Sequence, residues 1–210
     1  MPTYVTVAVL AYLLGSIPFG LLLARVFLGT DVRKIGSGNI GATNVMRTGS
    51  KKLGIATLVL DAAKGYLAVA LAFVLTRGVA AGPDGRQRWI AVGIAVLGAL
   101  LGHIFPVWLK FRGGKGVATG VGVFIGLAPK AVLIVLGIFV LIFVSFRYVS
   151  LASIIATAAF PAVAYRMLHG DQQPLMPFMI CGALLIIVKH HQNINRLLRG
   201  SESRFEFSKR

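Results

Sequence analysis

Long apolar runs separated by short basic, glycine-rich segments dominate this chain. A membrane-spanning helix needs about 20 mostly apolar residues, and the stretches at 3–24, 54–75, 89–108, 131–147, 149–168 and 174–189 meet or approach that length. A shorter run at 117–128, VATGVGVFIGLA, is closed by Pro129-Lys130, a helix-ending pair. As a helix it reaches only about 18 Å, so it reads as a tilted short span, a re-entrant piece or a buried helix. Ser16 and Pro18 interrupt the first run, where they mark either a kink lining a cavity or simple packing. The first run has no basic segment before it and no small-residue cleavage site after it, which predicts a retained helix and not a removed signal. The pattern predicts one integral membrane domain over 1–210, an all-α polytopic transmembrane helical bundle without internal repeats.

Charge orients the bundle. The first loop, 25–52, holds Arg25, Arg33, Lys34, Arg47, Lys51 and Lys52 against Asp31 alone, and the tail after 188 holds Lys189, Arg196, Arg199, Arg204, Lys209 and Arg210. Both read as cytoplasmic under the positive-inside bias. The 109–116 loop, with Lys110, Arg112 and Lys115, lies two spans from the first and falls on the same face. An even number of crossings must then separate it from the tail. Counting the short run gives seven spans with the N-terminus outside and the C-terminus cytoplasmic, and five spans plus re-entrant segments is the alternative. The 77–88 loop would lie outside, although Arg77, Arg86 and Arg88 weaken the rule there.

Composition agrees. Hydrophobic residues make up 57% and charged residues 13%, against about a quarter charged in soluble domains. A net charge of +16 suits anionic headgroups and anionic substrates better than nucleic acid when the cations sit at the ends of apolar runs. The lone cysteine, Cys181, allows no disulfide within the chain.

Three polar blocks carry candidate chemistry. The first, GSGNIGATNVMR, contains Gly36, Ser37, Gly38, Asn39, Gly41, Thr43, Asn44 and Arg47. Its G-x-G-x-x-G lacks the flanking strand of a dinucleotide site, yet glycines beside small hydroxyl and amide groups and an Arg suit a phosphate. The second runs from Gly102-His103 to Arg112-Gly113-Gly114-Lys115-Gly116. Leu109 and Gly116 break the Walker A pattern, so nucleotide hydrolysis is not expected. The amides of Gly113, Gly114 and Gly116 with Lys115 could hold one phosphate, Arg112 reads as a ligand or a headgroup anchor, and His103 as a packed histidine. The third, KHHQNINRLLRGSE, puts His190, Asn193 and Arg196 on one helical face. No carboxylate or cysteine stands at ligand spacing to the histidine pair, so no metal is expected. Asp61 and Lys64, three apart inside the second span, read as a structural ion pair or a direct participant.

Together the three blocks resemble the signature blocks of the bacterial acyl-phosphate:glycerol-3-phosphate acyltransferase family, across nearly the whole chain. Lys189 stands where that family more often has Arg. The resemblance implies transfer of a long-chain acyl group from acyl phosphate to the 1-hydroxyl of sn-glycerol 3-phosphate, the first step of bacterial phospholipid synthesis. It implies no metal or cofactor, a multi-pass location in the bacterial cytoplasmic (inner) membrane with the site toward the cytoplasm, and transient contact with the peripheral enzyme that makes acyl phosphate. Carried over, the family's essential Ser and Arg fall on Ser37 and Arg47, its phosphate-binding Gly and Lys on Gly113, Gly114, Lys115 and Gly116, its His and Asn on His190 and Asn193, and its supporting Glu on Glu202. The base is either His190 or a substrate phosphate. No H-x-x-x-x-D pair of the soluble glycerolipid acyltransferases occurs: Trp108, Asn195 and Arg196 stand five residues after His103, His190 and His191. The alternative reading is a membrane transporter of a phosphorylated metabolite, using the same anion loops.

Overall fold

A computed structural model describes residues 2–77 and 86–205. Residues 78–85 of the expected outer loop, and Lys209 and Arg210 of the tail, lie outside the described residues. Among the described residues all regular structure is helical. The helices are α1 (Pro2–Gly15), α2 (Phe19–Leu28), α3 (Ala42–Met46), α4 (Lys51–Leu75), α5 (Arg86–Ile104), α6 (Val117–Ile125), α7 (Pro129–Phe146), α8 (Val149–Tyr165), α9 (Met176–Val188) and α10 (His191–Leu198).

The first apolar run is a broken helix. Pro18 lacks an N–H, and the chain leaves helical geometry between Gly15 and Phe19. The Ser16 hydroxyl turns back to donate to the Tyr12 carbonyl at 2.7 Å. The Ile17 carbonyl accepts from Lys64 Nζ of α4, also at 2.7 Å, as well as from the Phe19 N–H at 3.1 Å. The kink foreshadowed by Ser16 and Pro18 is therefore tied to the charged pair of the second span.

Small residues bring the helices close. Gly15 of α1 lies against the backbone of Ala99 in α5, and Gly102 of α5 against that of Tyr12 and Ser16. Gly65 of α4 abuts the Thr119 carbonyl of α6, and Gly122 of α6 abuts the Ala62 carbonyl. Lipid tails are as apolar as leucine, so such close backbone contact replaces the hydrophobic effect as the source of cohesion. Around it the main core packs Val7, Val69, Val96, Leu100, Val123 and Met179, and Phe124 stacks on Phe160 with centroids 4.0 Å apart. The outward side of α7 is apolar too: Leu133, Leu141 and Val144 are 68%, 66% and 65% exposed, as a lipid-facing helix requires.

Helices α6, α8 and α9 are shorter than the apolar runs 117–128, 149–168 and 174–189. Five helical segments are long and apolar enough to cross a membrane: Thr3–Leu28, Lys51–Leu75, Arg86–Leu109, Pro129–Phe146 and Gly170–Val188. Helix α8, at 17 residues, is slightly shorter. Helix α6 has only nine residues, because the turn before it is held against α5 and Pro129 starts a new helix four residues after its end. The tail returns to the α7–α8 corner, where the Phe205 N–H donates to the Arg147 carbonyl at 2.8 Å.

A Cβ at residue 122 would collide with backbone, which cannot swing away. Gly122→Val should therefore push α4 and α6 apart at a cost of about 1–3 kcal/mol, lowering the thermal unfolding midpoint in detergent by several degrees. An unchanged midpoint would mean that the contact does not matter.

Candidate active site

The first block is organised by one amide. The buried Asn44 side chain accepts from the Ser37 N–H at 2.9 Å and donates to the carbonyls of Val32, Ile35 and Asn39 at 2.8, 3.0 and 2.8 Å. Gly36 and Gly38 take left-handed conformations, with φ of 55° and 69°, that let the loop curl around it. Asn39 Oδ1 accepts from the Gly41 N–H at 2.8 Å, a further internal turn. Of the residues expected to touch substrate, Asn44 thus builds the loop, its amide being fully engaged. Ser37 and Thr43 stay exposed. Arg47 folds back so that its side chain covers Gly36, the residue before Ser37. Beneath the loop Val32, Ile40 and Val45 pack on Leu21 and Ala24 of α2, a separate small core that seats it. At its start Asp31 accepts from Arg33 Nη2 at 2.6 Å and Arg25 Nη2 at 3.1 Å, and the Arg33 fork holds this carboxyl well below the usual range.

The second block corrects one expectation. The Gly113 N–H donates to the Ile104 carbonyl at 3.1 Å and the Gly114 N–H to the His103 carbonyl at 3.0 Å. These amides cap the end of α5 and are not free for a phosphate. The open donors of this block are those at the N-terminus of α6, which begins just after Lys115 and Gly116. The Gly114 Cα lies so close to the His103 ring that a Cβ would strike Nε2. Lys115 is partly buried, whereas Arg112 is exposed. Burial pushes the Lys115 amine down to about 8; the Glu202 carboxylate opposes this, and the charges of Arg196 and Arg47 add to it. Three cations from three blocks therefore share one electrostatic neighbourhood.

In the third block His190 is 2% exposed. Its Nδ1 lies 2.7 Å from the Ile186 carbonyl. A carbonyl only accepts, so Nδ1 carries the proton and Nε2 keeps its lone pair. Burial holds this imidazole down to about 4, the Ile186 bond opposes, and the Lys115 charge adds to the depression. His190 is thus neutral at physiological pH. His191 is exposed, with its Nδ1 3.0 Å from the Val188 carbonyl. Glu202 joins the third block to α8: it accepts from Ser150 Oγ at 2.7 Å, Asn193 Nδ2 at 2.6 Å and Arg196 Nε at 2.6 Å. Burial alone would raise this carboxyl, but the three donors outweigh it and hold it below its usual range. Asn193 Oδ1, buried, has no hydrogen-bond partner among the described residues.

Arg47, Lys115, His190, Asn193, Arg196 and Glu202 therefore assemble at one end of the bundle. Asp61, Lys64 and His103 form a separate buried cluster beneath them, with Lys64 Nζ 2.7 Å and His103 Nδ1 3.7 Å from Asp61 Oδ1. Sequence reasoning missed Ser150, a lone hydroxyl at the start of an apolar helix, and the Ile17 carbonyl, since no residue type advertises a backbone acceptor.

A family model described as "Glycerol-3-phosphate acyltransferase" matches residues 5–200, which contain the first two blocks whole and the third up to Gly200. The chain belongs to the glycerol-3-phosphate acyltransferase family. A relative of that name from Trichlorobacter lovleyi is 48% identical over 196 residues, covering 93% of this chain and 94% of its own. One from Rhizobium meliloti is 50% identical over 204 residues, covering 97% and 93%. The crystal structure of PlsY (YgiH), an integral membrane glycerol 3-phosphate acyltransferase, in its glycerol 3-phosphate form, superposes with a TM-score of 0.85 at 39% identity over 97% of this chain and 96% of that one. Its lysophosphatidic acid form gives 0.83 at 38%, over 97% and 95%. This family member is accordingly a polytopic membrane protein with a helical bundle.

Glu202→Ala would leave the Arg196 guanidinium and the Asn193 amide without their shared acceptor, a loss of about 1–3 kcal/mol. The variant should unfold at lower temperature, and an Arg196→Ala change on top of it should add little, because the two residues act as one unit. Additive losses would refute that coupling.

Proposed function

We propose that this chain transfers a long-chain acyl group from acyl phosphate to the 1-hydroxyl of sn-glycerol 3-phosphate, releasing 1-acylglycerol 3-phosphate and inorganic phosphate. The observation that carries this is the convergence of Arg47, Lys115 and Arg196 around a neutral His190 and an unpartnered Asn193 amide oxygen. Two phosphate-bearing substrates need such a concentration of cations. A donor that is already a mixed anhydride needs no further activation, so the protein's tasks are to bind, orient and neutralise. Membership of an acyltransferase family speaks against the transport alternative.

The chemistry follows from what each group can offer. The Arg47 guanidinium, the Lys115 ammonium and the free N–H groups at the start of α6 bind and neutralise phosphate oxygens. The Ser37 hydroxyl, exposed beside the Arg47-covered glycine, donates to the same anions. His190 Nε2 and Asn193 Oδ1 are acceptors that orient the glycerol 1-hydroxyl toward the acyl carbon. The hydroxyl oxygen bonds to that carbon and the carbon–oxygen bond to phosphate breaks. The electron pair leaves with the phosphate, whose charge the cations hold in a site partly shielded from water. Burial and the Lys115 charge hold the His190 imidazole down to about 4, which disfavours its protonation, whereas a phosphate oxygen takes up a proton near pH ~6. The proton therefore ends on phosphate, and His190 serves as a positioning acceptor.

The site faces the cytoplasm of a bacterial inner membrane, where a peripheral enzyme delivers acyl phosphate. Seven crossings fit this placement: α1 with α2, then α4, α5, α6, α7, α8 and α9, with the N-terminus outside and the C-terminus inside. The bonds joining the tail to Ser150 and Arg147 support it, since the α7–α8 corner must then share the tail's face. Chain leaving the 109–116 loop has to depart and return before residue 147, and α7, about 27 Å long, makes the return. Helix α6 suffices for the outward crossing because the 113–116 turn is packed against protein, with the Gly113 and Gly114 amides satisfied by α5 carbonyls, as non-helical backbone at membrane depth requires.

Purified protein given labelled glycerol 3-phosphate with a chelator present should form labelled lysophosphatidic acid from palmitoyl phosphate and not from palmitoyl-CoA. Product from the thioester alone would overturn the donor, and none from either would overturn the reaction. A second outcome concerns pH. Lys115 is charged below about 8 and loses its proton above it, so kcat/KM for glycerol 3-phosphate should fall on the alkaline side with a midpoint near that value. Lys115→Arg keeps its charge at every accessible pH and should abolish this limb, whatever its absolute rate; persistence of the limb would assign it elsewhere.

A further inference from the structure

The geometry points to the buried Asp61–Lys64 pair, with His103, as the device that fixes the spacing between the two phosphate-binding loops of this enzyme, making all three positioning residues for glycerol 3-phosphate. Asp61 and Lys64 are 2% and 1% exposed and His103 is 3% exposed, well inside the bundle. A bare ion pair is costly in this setting, since desolvation of both charges can outweigh their attraction. Stability alone is therefore a poor reason for placing one here.

Each partner reaches toward a different block. Lys64 Nζ donates to the Ile17 carbonyl at the break in the first span and lies 5.8 Å from the centroid of the Phe19 ring. At the next residue of α2, the Gly20 Cα is pressed against the Ile40 carbonyl of the first block, leaving no room for a Cβ. The contact passes the position of α2 on to the loop that ends in Arg47. On the other side Asp61 Oδ1 faces His103 Nδ1 at 3.7 Å. The opposite ring nitrogen abuts the Gly114 Cα, and the carbonyl of the same histidine accepts the Gly114 N–H. Lys115 is the next residue. Two rigid chains of contact thus run from neighbouring positions on α4 to the two cations, Arg47 and Lys115, that feel each other's charge. Loosening the pair would change their separation without touching either one.

The kinetic readout rests on the acyltransferase reading, so a binding measurement accompanies it. The test is the double variant Asp61→Leu with Lys64→Met, which removes both charges together, replaces them by apolar side chains of similar size and should fold with an unfolding midpoint lowered by the loss of the Lys64 bond to the Ile17 carbonyl. Its KM for glycerol 3-phosphate should rise about tenfold or more while kcat changes less than about threefold, and the thermal shift produced by glycerol 3-phosphate alone should shrink in parallel. His103→Gln, which breaks only the second chain of contact, should shift KM in the same direction and decides the matter if the double variant does not fold. A merely structural role would reduce the amount of active enzyme and leave KM and the ligand-induced shift unchanged; that result would overturn the proposal. If the parent gives a thermal shift with glycerol 3-phosphate but no product, the reaction assigned above fails, and the comparison of shifts still tests the positioning.

Discussion

Within a bilayer a backbone carbonyl without a partner costs several kcal/mol, and the arrangement of this protein turns on how one such carbonyl is satisfied. Pro18 breaks the first span and leaves the Ile17 carbonyl only the local Phe19 N–H at 3.1 Å, and Lys64 of α4 adds a charged donor at 2.7 Å. A lysine at that depth needs a counter-charge, which Asp61 provides one turn earlier on the same helix. Asp61 in turn faces His103 at the end of α5. Three of the transmembrane segments are thus joined through one buried polar knot, while glycine contacts bring α6 against α4 beside it.

Above the knot the organisation is electrostatic. Like charges gathered at Arg47, Lys115 and Arg196 repel, and the fold offsets that by one carboxylate, Glu202, held by three donors. Burial does the rest of the tuning. It lowers Lys115 until the amine lies near its titration point, and it keeps His190 neutral with its Nδ1 proton directed at Ile186. A neutral imidazole beside cations is suited to accept a hydrogen bond from a hydroxyl and poorly suited to retain a proton. Such an imidazole fits the proposed role of orienting the substrate hydroxyl while phosphate takes the proton.

Particular residues show where sequence reasoning reached and where it stopped. The apolar runs located every helix that faces lipid, because lipid demands apolar side chains over a fixed length. The same argument could not give α6 its nine-residue length, which depends on a turn capping a different helix. Gly113 and Gly114 read as phosphate binders by composition, yet their amides are taken by the Ile104 and His103 carbonyls. Asn44 read as a ligand, and its amide instead ties four points of its own loop together. In each case residue type was informative and the partner was not, since a glycine amide or an asparagine serves a ligand and a neighbouring carbonyl equally well.

The sequence by itself determined the class of solvent, the helical architecture, the gathering of basic residues between and after the apolar runs and the three blocks that identify the family. These follow from composition and spacing, which lipid and phosphate read locally. The tertiary structure alone decided that residues from blocks more than fifty positions apart share one site. It also decided that His190 is neutral, that Ser150 helps to hold Glu202, and that the intramembrane pair reaches both a broken helix and a glycine turn. Burial, tautomer and the sharing of acceptors are properties of packed neighbours, and a linear pattern does not contain them.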